Sequence, residues 1–298
     1  MGRSRPGNQA SQGLIPPSII LGLGFTGQRL AKRLLLRASL RGGEVFAVVR
    51  NAERFRPFES IGLKLLPWIA DAPTGGLLCH AIPPLPEWEN LAIREKIESL
   101  APQRIVYISS TGVYGGATEV GAETPAEPND ERGRQRISEE RWLTSGSWSS
   151  VILRAAAIYG PGRGVHRAIR EGRVPRGSAA QAVSRIHVDD LAALAEAGLF
   201  SEVSGVWPVA DELPCASAEI ASWLTRLLRW PASSGELEKI TISGRKVDGR
   251  AIRGMLGVTL AYPTWQAGIL ASLAEEQFIA YTRALAARLH PAPADYHP

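Results

Sequence analysis

Residues 18–27 read SIILGLGFTG, a short apolar run that leads into the glycine pattern Gly22-x-Gly24-x-x-Gly27. The residues that follow, 28–36, carry apolar side chains at helical spacing, and Arg41-Gly-Gly ends that stretch. Residues 45–49 (VFAVV) then have the β-branched and aromatic composition of a buried strand. The order of strand, glycine turn, helix and strand predicts one βαβ unit.

The same alternation continues along the chain. Strands are predicted at 63–68, 76–82, 104–109 and 148–154, with helices at 88–100 and 132–144. Strands that alternate with helices of ten or more residues imply a parallel sheet covered on both faces. The predicted fold class is therefore α/β, with a doubly wound parallel sheet of the Rossmann type.

The glycine pattern indicates a phosphate-binding turn because it follows a predicted strand and opens a predicted helix. Gly22 permits the tight turn, Gly24 lets the backbone approach a pyrophosphate, and Gly27 lets the helix pack closely on the strand. The phosphate charge would then lie at the positive end of the helix. This context favours a dinucleotide.

The end of the second strand distinguishes between the nicotinamide cofactors. An acidic residue about 20 positions past the glycines would bind the ribose of NAD. Arg50 is found there instead, followed by Asn51 and Arg54. Two guanidinium groups suit the 2′-phosphate of NADP, so NADP(H) is predicted over NAD(H). The alternative is that Arg50 only ends a strand in solvent.

Composition excludes several other classes. The 298 residues are 45% hydrophobic and 21% charged, with two cysteines, which is typical neither of a disordered chain nor of a disulfide scaffold. The longest apolar stretches fall far short of the roughly 20 residues that span a bilayer, so no membrane association is expected. The sparse cysteines fit a reducing compartment and the basic N-terminus lacks the apolar segment of a signal peptide, so a cytoplasmic location is expected. The net charge is +5, but the arginines are scattered among acidic residues, and no nucleic-acid partner is expected.

Three further motifs follow the glycine turn in order: residues 109–115 (SSTGVYG), 159–163 (YGPGR) and 185–190 (RIHVDD). In this order they resemble the extended short-chain dehydrogenases/reductases, the NAD-dependent epimerase/dehydratase family. Residues 247–256 and 262–268 are similar to the C-terminal region of an atypical branch of that family. The resemblance covers residues 18 to 275.

The resemblance implies a division of the chain. A dinucleotide-binding Rossmann domain would comprise 18–159 and 184–206, and a smaller α+β substrate lobe would comprise 160–183 and 207–288. Residues 1–17 and 289–298 would form a flexible leader and tail. Related enzymes act on small-molecule substrates and are often dimers, so a homodimer is an open expectation.

The resemblance also implies a site at the end of the predicted strand 104–109. Family members hold the substrate oxygen with a Ser or Thr four residues before the Tyr of the VYG motif, which is Ser110 here, with Thr111 next to it. These hydroxyls follow the carboxyl end of a strand, where α/β proteins bind ligands. The alternative is that they only stabilise the turn.

The usual acid–base pair of the family, Tyr-x-x-x-Lys, is missing. Its positions are taken by Arg132 and Arg136, and there is no Tyr between residues 115 and 158 and no Lys between 97 and 238. Arg136 could hold a ribose hydroxyl, but a guanidinium stays protonated and is a poor proton donor. Another group would have to move the proton, and the nearby titratable candidates are Tyr114, Tyr159, His187, Cys79 and His80.

The predicted functional residues form three sets, with no metal. The catalytic set is Ser110 and Thr111. The cofactor set is Gly22, Gly24, Phe25, Thr26, Gly27, Arg50, Asn51, Arg54, Ala81 and Arg136. The substrate set is Arg163, His166 and Arg170, which could face an anionic ligand such as a nucleotide sugar or could be solvated.

Three functions remain compatible with these residues. The first is an NADP(H)-dependent oxidoreductase or epimerase that acts without the usual tyrosine. The second is a non-catalytic, NADP(H)-responsive binding or regulatory module. The third is an interaction scaffold with a vestigial cofactor site.

Overall fold

The structure is a computed structural model, and it describes residues 15–171, 181–228 and 244–289. Most of the predicted tail and most of the predicted leader lie outside these ranges. Among the described residues, no helix combines the length and the apolar composition that a membrane crossing requires.

The strands are short runs of mostly β-branched and aliphatic residues, as the sequence predicts. In chain order they are β1 (Ser18–Leu21), β2 (Val45–Val48), β3 (Lys64–Leu66), β4 (Leu77–His80), β5 (Arg104–Ser110), β6 (Glu119–Val120), β7 (Ser149–Ala155), β8 (Ala157–Tyr159), β9 (Ala182–Val183), β10 (Arg185–His187), β11 (Gly205–Val209), β12 (Cys215–Ala216) and β13 (Lys246–Val247).

The α-helices lie between these strands and after them. They are α1 (Phe25–Arg41), α2 (Glu87–Leu100), α3 (Glu131–Ser145), α4 (Val165–Arg170), α5 (Val188–Leu199), α6 (Ser217–Leu228), α7 (Arg250–Leu256) and α8 (Trp265–Leu289).

Seven strands form one parallel sheet in the order β11-β7-β5-β4-β1-β2-β3. From β1 the chain builds outward to β2 and β3, then returns to the other side of β1 with β4. The direction of winding therefore reverses between β1 and β4. A crevice opens at such a point, at the carboxyl ends of the strands, and this places the candidate site.

Two hydrophobic cores cover the two faces of this sheet. Ile20 of β1 packs in the core that contains α1 and α5, whereas its neighbours Ile19 and Leu21 pack in the core that contains α2. The alternation follows from the two-residue period of a strand. Helices on both faces of a parallel sheet confirm the doubly wound α/β class predicted from the sequence.

The chain beyond the sheet forms a third core. It joins α4, α6 and α8 through buried side chains that include Ile169, Ile220, Leu224 and Ile269. Three short strand pairs, β8 with β10, β9 with β12 and β6 with β13, lie outside the central sheet. The edge strand β11 runs to Val209, three residues past the end of the second segment of the predicted Rossmann domain.

Asp211, just past β11, is a buried carboxyl group with 3% of its surface exposed. Burial raises its pKa to about 7, although the charge of Arg185 acts in the opposite direction. Between pH 4 and pH 7 the unfolded chain gives up this proton and the folded chain keeps it. The free energy of unfolding therefore falls as the pH rises through that range.

Replacing Asp211 with asparagine should remove this part of the pH dependence. We expect the variant to gain stability relative to the wild type as the pH rises from 4 to 8, by at most about 4 kcal/mol. Urea unfolding of both proteins at pH 4, 6 and 8 measures the difference. A stability difference that stays constant with pH would mean that Asp211 is ionised in the folded protein.

Candidate functional site

In the glycine turn between β1 and α1, only one of the three glycines has free space where a side chain would lie. A Cβ atom at Gly22, where φ is +99°, would lie 2.5 Å from Cγ2 of Ile82, and one at Gly27 would lie 2.2 Å from the carbonyl oxygen of Gly22. A Cβ atom at Gly24 would meet no atom within 4 Å. Gly22 and Gly27 are thus fixed by packing, and Gly24 faces free space at the start of α1.

Two cavities meet at this turn. The β5 cavity has a volume of about 480 Å³ and reaches the ends of β5 and β7. The β2 cavity, of about 490 Å³, reaches the end of β2. Both are lined by Gly24, Phe25, Ile82 and Pro83, so they are neighbouring parts of one cleft. Each has a volume that suits a small-molecule site.

The β2 cavity contains the residues predicted to select the cofactor. Arg50, Asn51 and Arg54 all line it, and the side-chain oxygen of Asn51 accepts a hydrogen bond from the Arg54 backbone at 3.4 Å. Within the described residues, neither arginine has an ion-pair partner, although the carboxylate of Glu89 also lines the cavity. The cavity thus offers two exposed guanidinium groups.

The β5 cavity contains Ser110 but not the side chain of its neighbour. Ser110 ends β5, lines the cavity, and accepts a hydrogen bond from the backbone N–H of Gly112 at 3.1 Å. Thr111 is buried in the short 3₁₀ helix that follows and is not among the lining residues. Of the two predicted hydroxyls, the structure opens only Ser110 to the cleft.

Helix α3 presents one of its two predicted arginines to the same cavity. Asp130 caps the helix by accepting a hydrogen bond from the Gly133 N–H at 2.7 Å. Arg136 is half-buried, lines the cavity and donates to the Tyr107 hydroxyl at 3.5 Å. Arg132 is exposed and does not line it. Arg132, which the resemblance aligns with the family's tyrosine, therefore contributes nothing to the cavity.

The other predicted cofactor residues also lie at the cleft. Thr26 and Ala81 line the β5 cavity, and the backbone N–H of Ala81 bonds the carbonyl of Leu21 at 2.9 Å. Gly27 is buried in α1 and contributes through packing only.

Beneath the β5 cavity lies a buried ionic cluster that the sequence did not reveal. Glu140 of α3 accepts a hydrogen bond from Ser109, which lines the cavity, and binds Arg154 of β7 at 2.7 Å. The Arg154 guanidinium also lies 4.9 Å from the ring centre of Tyr114. A glutamate in a highly charged helix is normally read as solvent-facing, and only the packed structure shows that this one points inward.

A second buried pair adjoins the first. Glu139 lies 3.3 Å from His80 and 2.6 Å from Arg94. Burial alone would raise the pKa of Glu139, but hydrogen bonds and charges from His80 and Arg94 outweigh it and hold that pKa below its usual value. His80 also packs its ring against Tyr107, with 4.8 Å between ring centres. These contacts hold His80 within the fold.

The remaining candidates for a proton donor are also engaged elsewhere. His187 caps α5 through the Asp189 N–H at 3.3 Å and lies 3.2 Å from the Ser272 hydroxyl, and burial lowers its pKa to about 4. Tyr159 donates to the Thr264 carbonyl at 3.5 Å, and burial raises its pKa. Burial raises the pKa of Cys79 to about 12. None of these residues, nor Tyr114 or His80, is found among the described residues that line the β5 cavity.

The three predicted substrate residues separate in the structure. Arg163 lines the β5 cavity, with its guanidinium 5.1 Å from the ring centre of Phe25. His166 and Arg170 instead converge on Glu276 of α8, at 3.2 and 2.6 Å. Glu276 also accepts the backbone N–H of Gly162 at 2.6 Å, so this group anchors the Arg163 turn.

No protein-family model matches the chain. Protein YeeZ of Escherichia coli K12 is 27% identical to it over 263 residues, which span 82% of this chain and 95% of YeeZ. The match extends over most of this chain and nearly the whole of YeeZ.

Solved structures share the fold. A functionally unknown conserved protein from Silicibacter pomeroyi superimposes with a TM-score of 0.72 at 25% identity, over 87% of this chain and 99% of that one. MoeE5, solved in complex with UDP-glucose and NAD, gives 0.72 at 21% identity, over 89% and 99%. Other matching structures include a UDP-N-acetylglucosamine 4-epimerase and a UDP-glucuronic acid 4-epimerase.

The parallel sheet with its glycine turn at the switch point defines a Rossmann-fold protein. The structural neighbours include a putative NAD-dependent epimerase/dehydratase from Methylobacillus flagellatus, which superimposes with a TM-score of 0.67 at 24% identity, over 88% of this chain and 99% of that one. The fold implied by the resemblance to the extended short-chain dehydrogenases/reductases is therefore confirmed. Assignment to an atypical branch stays a prediction.

Proposed function

We propose that this chain binds NADP(H) in the cleft and is an oxidoreductase or epimerase that acts on a small substrate, of nucleotide-sugar type, without the usual tyrosine. The observation that supports this proposal most is the free space beside Gly24 at the switch point, with Arg50 and Arg54 following β2. The glycine turn suits a pyrophosphate, and the two guanidinium groups suit a 2′-phosphate. Structural neighbours solved with NAD and with UDP-glucose, UDP-glucuronic acid or UDP support a nicotinamide dinucleotide and a nucleotide-sugar substrate, whereas the preference for NADP(H) rests on Arg50 and Arg54.

The placement of the groups in the cleft gives each cavity a role. The β2 cavity would hold the adenosine half of the cofactor, and the β5 cavity would hold the nicotinamide and the substrate near Ser110. When bound, the cofactor supplies hydride transfer. We also propose a dinucleotide-binding region (18–159 and 184–206), a substrate lobe (160–183 and 207–288) and assembly as a homodimer.

Arg50→Asp tests the cofactor assignment. Removing the guanidinium should weaken NADPH binding by about 10- to 100-fold, because a charged hydrogen-bond partner of the phosphate is lost. Thermal-shift titrations with NADPH and with NADH measure this, since a ligand at about 100 times its Kd stabilises the folded state by roughly 2.7 kcal/mol. The wild type should respond more strongly to NADPH.

Arg56→Asp is the matched control, because Arg56 is exposed, pairs with Glu53 and does not line the β2 cavity. It should bind NADPH as the wild type does. Equal responses to both cofactors in the wild type and in Arg50→Asp would overturn the NADP preference. No response to either would favour the interaction scaffold.

One observation favours a second candidate, a non-catalytic NADP(H)-responsive module. Among the described residues that line the β5 cavity, the charged side chains are Arg136 and Arg163, and a guanidinium is a poor proton donor. Two assays with UDP-sugars distinguish the two functions: nicotinamide oxidation detects a reductase, and chromatography of the sugar nucleotide detects an epimerase, which returns the hydride and leaves no net oxidation. Turnover in either assay that is lost in Ser110→Ala identifies an enzyme, whereas cofactor binding without turnover in both assays favours the module.

A further inference from the structure

We infer that the ligand of the β5 cavity carries an anionic group, a carboxylate or a phosphate, which Arg163 and Arg136 receive. This inference rests on the proposed function, because it specifies the substrate of the same cleft. It concerns the reacting end of the substrate, next to Ser110.

The charge of the cavity lining carries the inference. Arg136 and Arg163 line the cavity together with hydroxyl groups from Thr26, Ser109 and Ser110, and no carboxylate is found among the described lining residues. The cavity therefore holds two positive charges and no negative one. An anionic ligand would supply the missing charge.

Three arginines near the cavity are, by contrast, paired with acids. Arg94, Arg154 and Arg170 are bound to Glu139, Glu140 and Glu276 at 2.6 to 2.7 Å. Within the described residues, Arg136 and Arg163 have no such partner. A guanidinium offers five N–H donors in a planar fork that matches carboxylate and phosphate oxygens.

Each of the two arginines is positioned by contacts other than an ion pair of its own guanidinium. One nitrogen of Arg136 donates to the Tyr107 hydroxyl at 3.5 Å, and its other donors have no hydrogen-bond partner among the described residues. Arg163 lies on a turn closed by two reciprocal backbone hydrogen bonds with Gly160, each 2.9 Å long. Glu276 binds the same turn at Gly162. A fixed turn lowers the entropic cost of binding.

The predicted contact between Arg136 and a ribose hydroxyl makes Arg163 the better residue for a test. Malonate and inorganic phosphate serve as the anionic probes, and malonamide serves as the neutral analogue of malonate. Calorimetric titration into protein saturated with NADP⁺ keeps the glycine turn filled, so that phosphate cannot bind there. Arg33→Gln is the control, since it removes the same charge from an exposed ion pair with Glu196, outside the cleft.

We expect at least one anion to bind the wild type and Arg33→Gln, and malonamide to bind neither. Arg163→Gln should weaken binding of that anion by about 10- to 100-fold. Binding of malonate alone identifies a carboxylate, and binding of phosphate alone identifies a phosphate. No binding of either anion, or equal binding to Arg163→Gln and the wild type, overturns the inference.

Failure of the anion inference can be distinguished from failure of the proposed NADP(H) binding. NADPH binding is measured first, in the same calorimeter, for all three proteins. If NADPH does not bind, the proposed function fails, and the anions are titrated into the free protein. Loss of anion binding in Arg163→Gln but not in Arg50→Asp would still place the anion in the β5 cavity. The reverse result would place it in the β2 cavity and overturn the inference.

Discussion

Replacing Gly24 with alanine is expected to weaken NADPH binding by about 10- to 100-fold while leaving the stability of the free protein nearly unchanged. The new methyl group would meet no protein atom within 4 Å, so the fold has room for it. The backbone angles of Gly24, φ −75° and ψ −157°, are open to other residues as well. The methyl group would instead occupy the space that the pyrophosphate needs.

Gly27→Ala is the opposite case and serves as the comparison. Its methyl group would lie 2.2 Å from the carbonyl oxygen of Gly22, a backbone atom that cannot move without opening the turn. We expect this variant to lose about 3 kcal/mol of stability, at the upper end of overpacking effects. Urea unfolding without cofactor separates the two variants, and calorimetry with NADPH then tests Gly24→Ala. Wild-type affinity in Gly24→Ala would show that the dinucleotide does not cross this turn.

The sequence was most informative where local pattern and packing agree. The run Ser18–Leu21, the glycine turn and the apolar spacing of α1 predict a βαβ unit, and the structure has it. Hydrophobic periodicity alone did not reveal the 3₁₀ helix at Glu53–Ile61, which contains Pro57. Proline fixes its own backbone angle and lacks an N–H, so a helix through it is not expected from periodicity.

The candidate site was less predictable because its polar contacts join distant parts of the chain. His166 and Arg170 are plausible ligands for an anion until Glu276, more than 100 residues away, is found between them. Glu140 is 31 residues from Ser109 and 14 from Arg154. No local pattern encodes such pairs, since a charged side chain in a helix is read as solvated unless its partner is known.

The buried pair of Glu140 and Arg154 gives the second large expected effect. Only 4% of the Glu140 side chain and 12% of the Arg154 side chain are exposed. Glu140→Ala would leave the guanidinium of Arg154 buried without its acid, because one partner of the pair would be removed. Such changes cost about 3–5 kcal/mol. Glu131→Ala, which breaks the exposed pair with Arg134 on the same helix, should cost less than about 1 kcal/mol.

Urea unfolding measures the free energy of unfolding of the two alanine variants. A loss below about 1 kcal/mol for Glu140→Ala would contradict the expected cost of breaking the buried pair. A domain of ordinary stability, about 5–15 kcal/mol, has little margin for this change. If Glu140→Ala does not fold, the double variant Glu140→Leu, Arg154→Met decides the matter. Replacing both charges with apolar groups of similar size is often neutral or stabilising. Recovery of folding in the double variant would show that the unpaired charge, and not the lost contact, destabilises the single one.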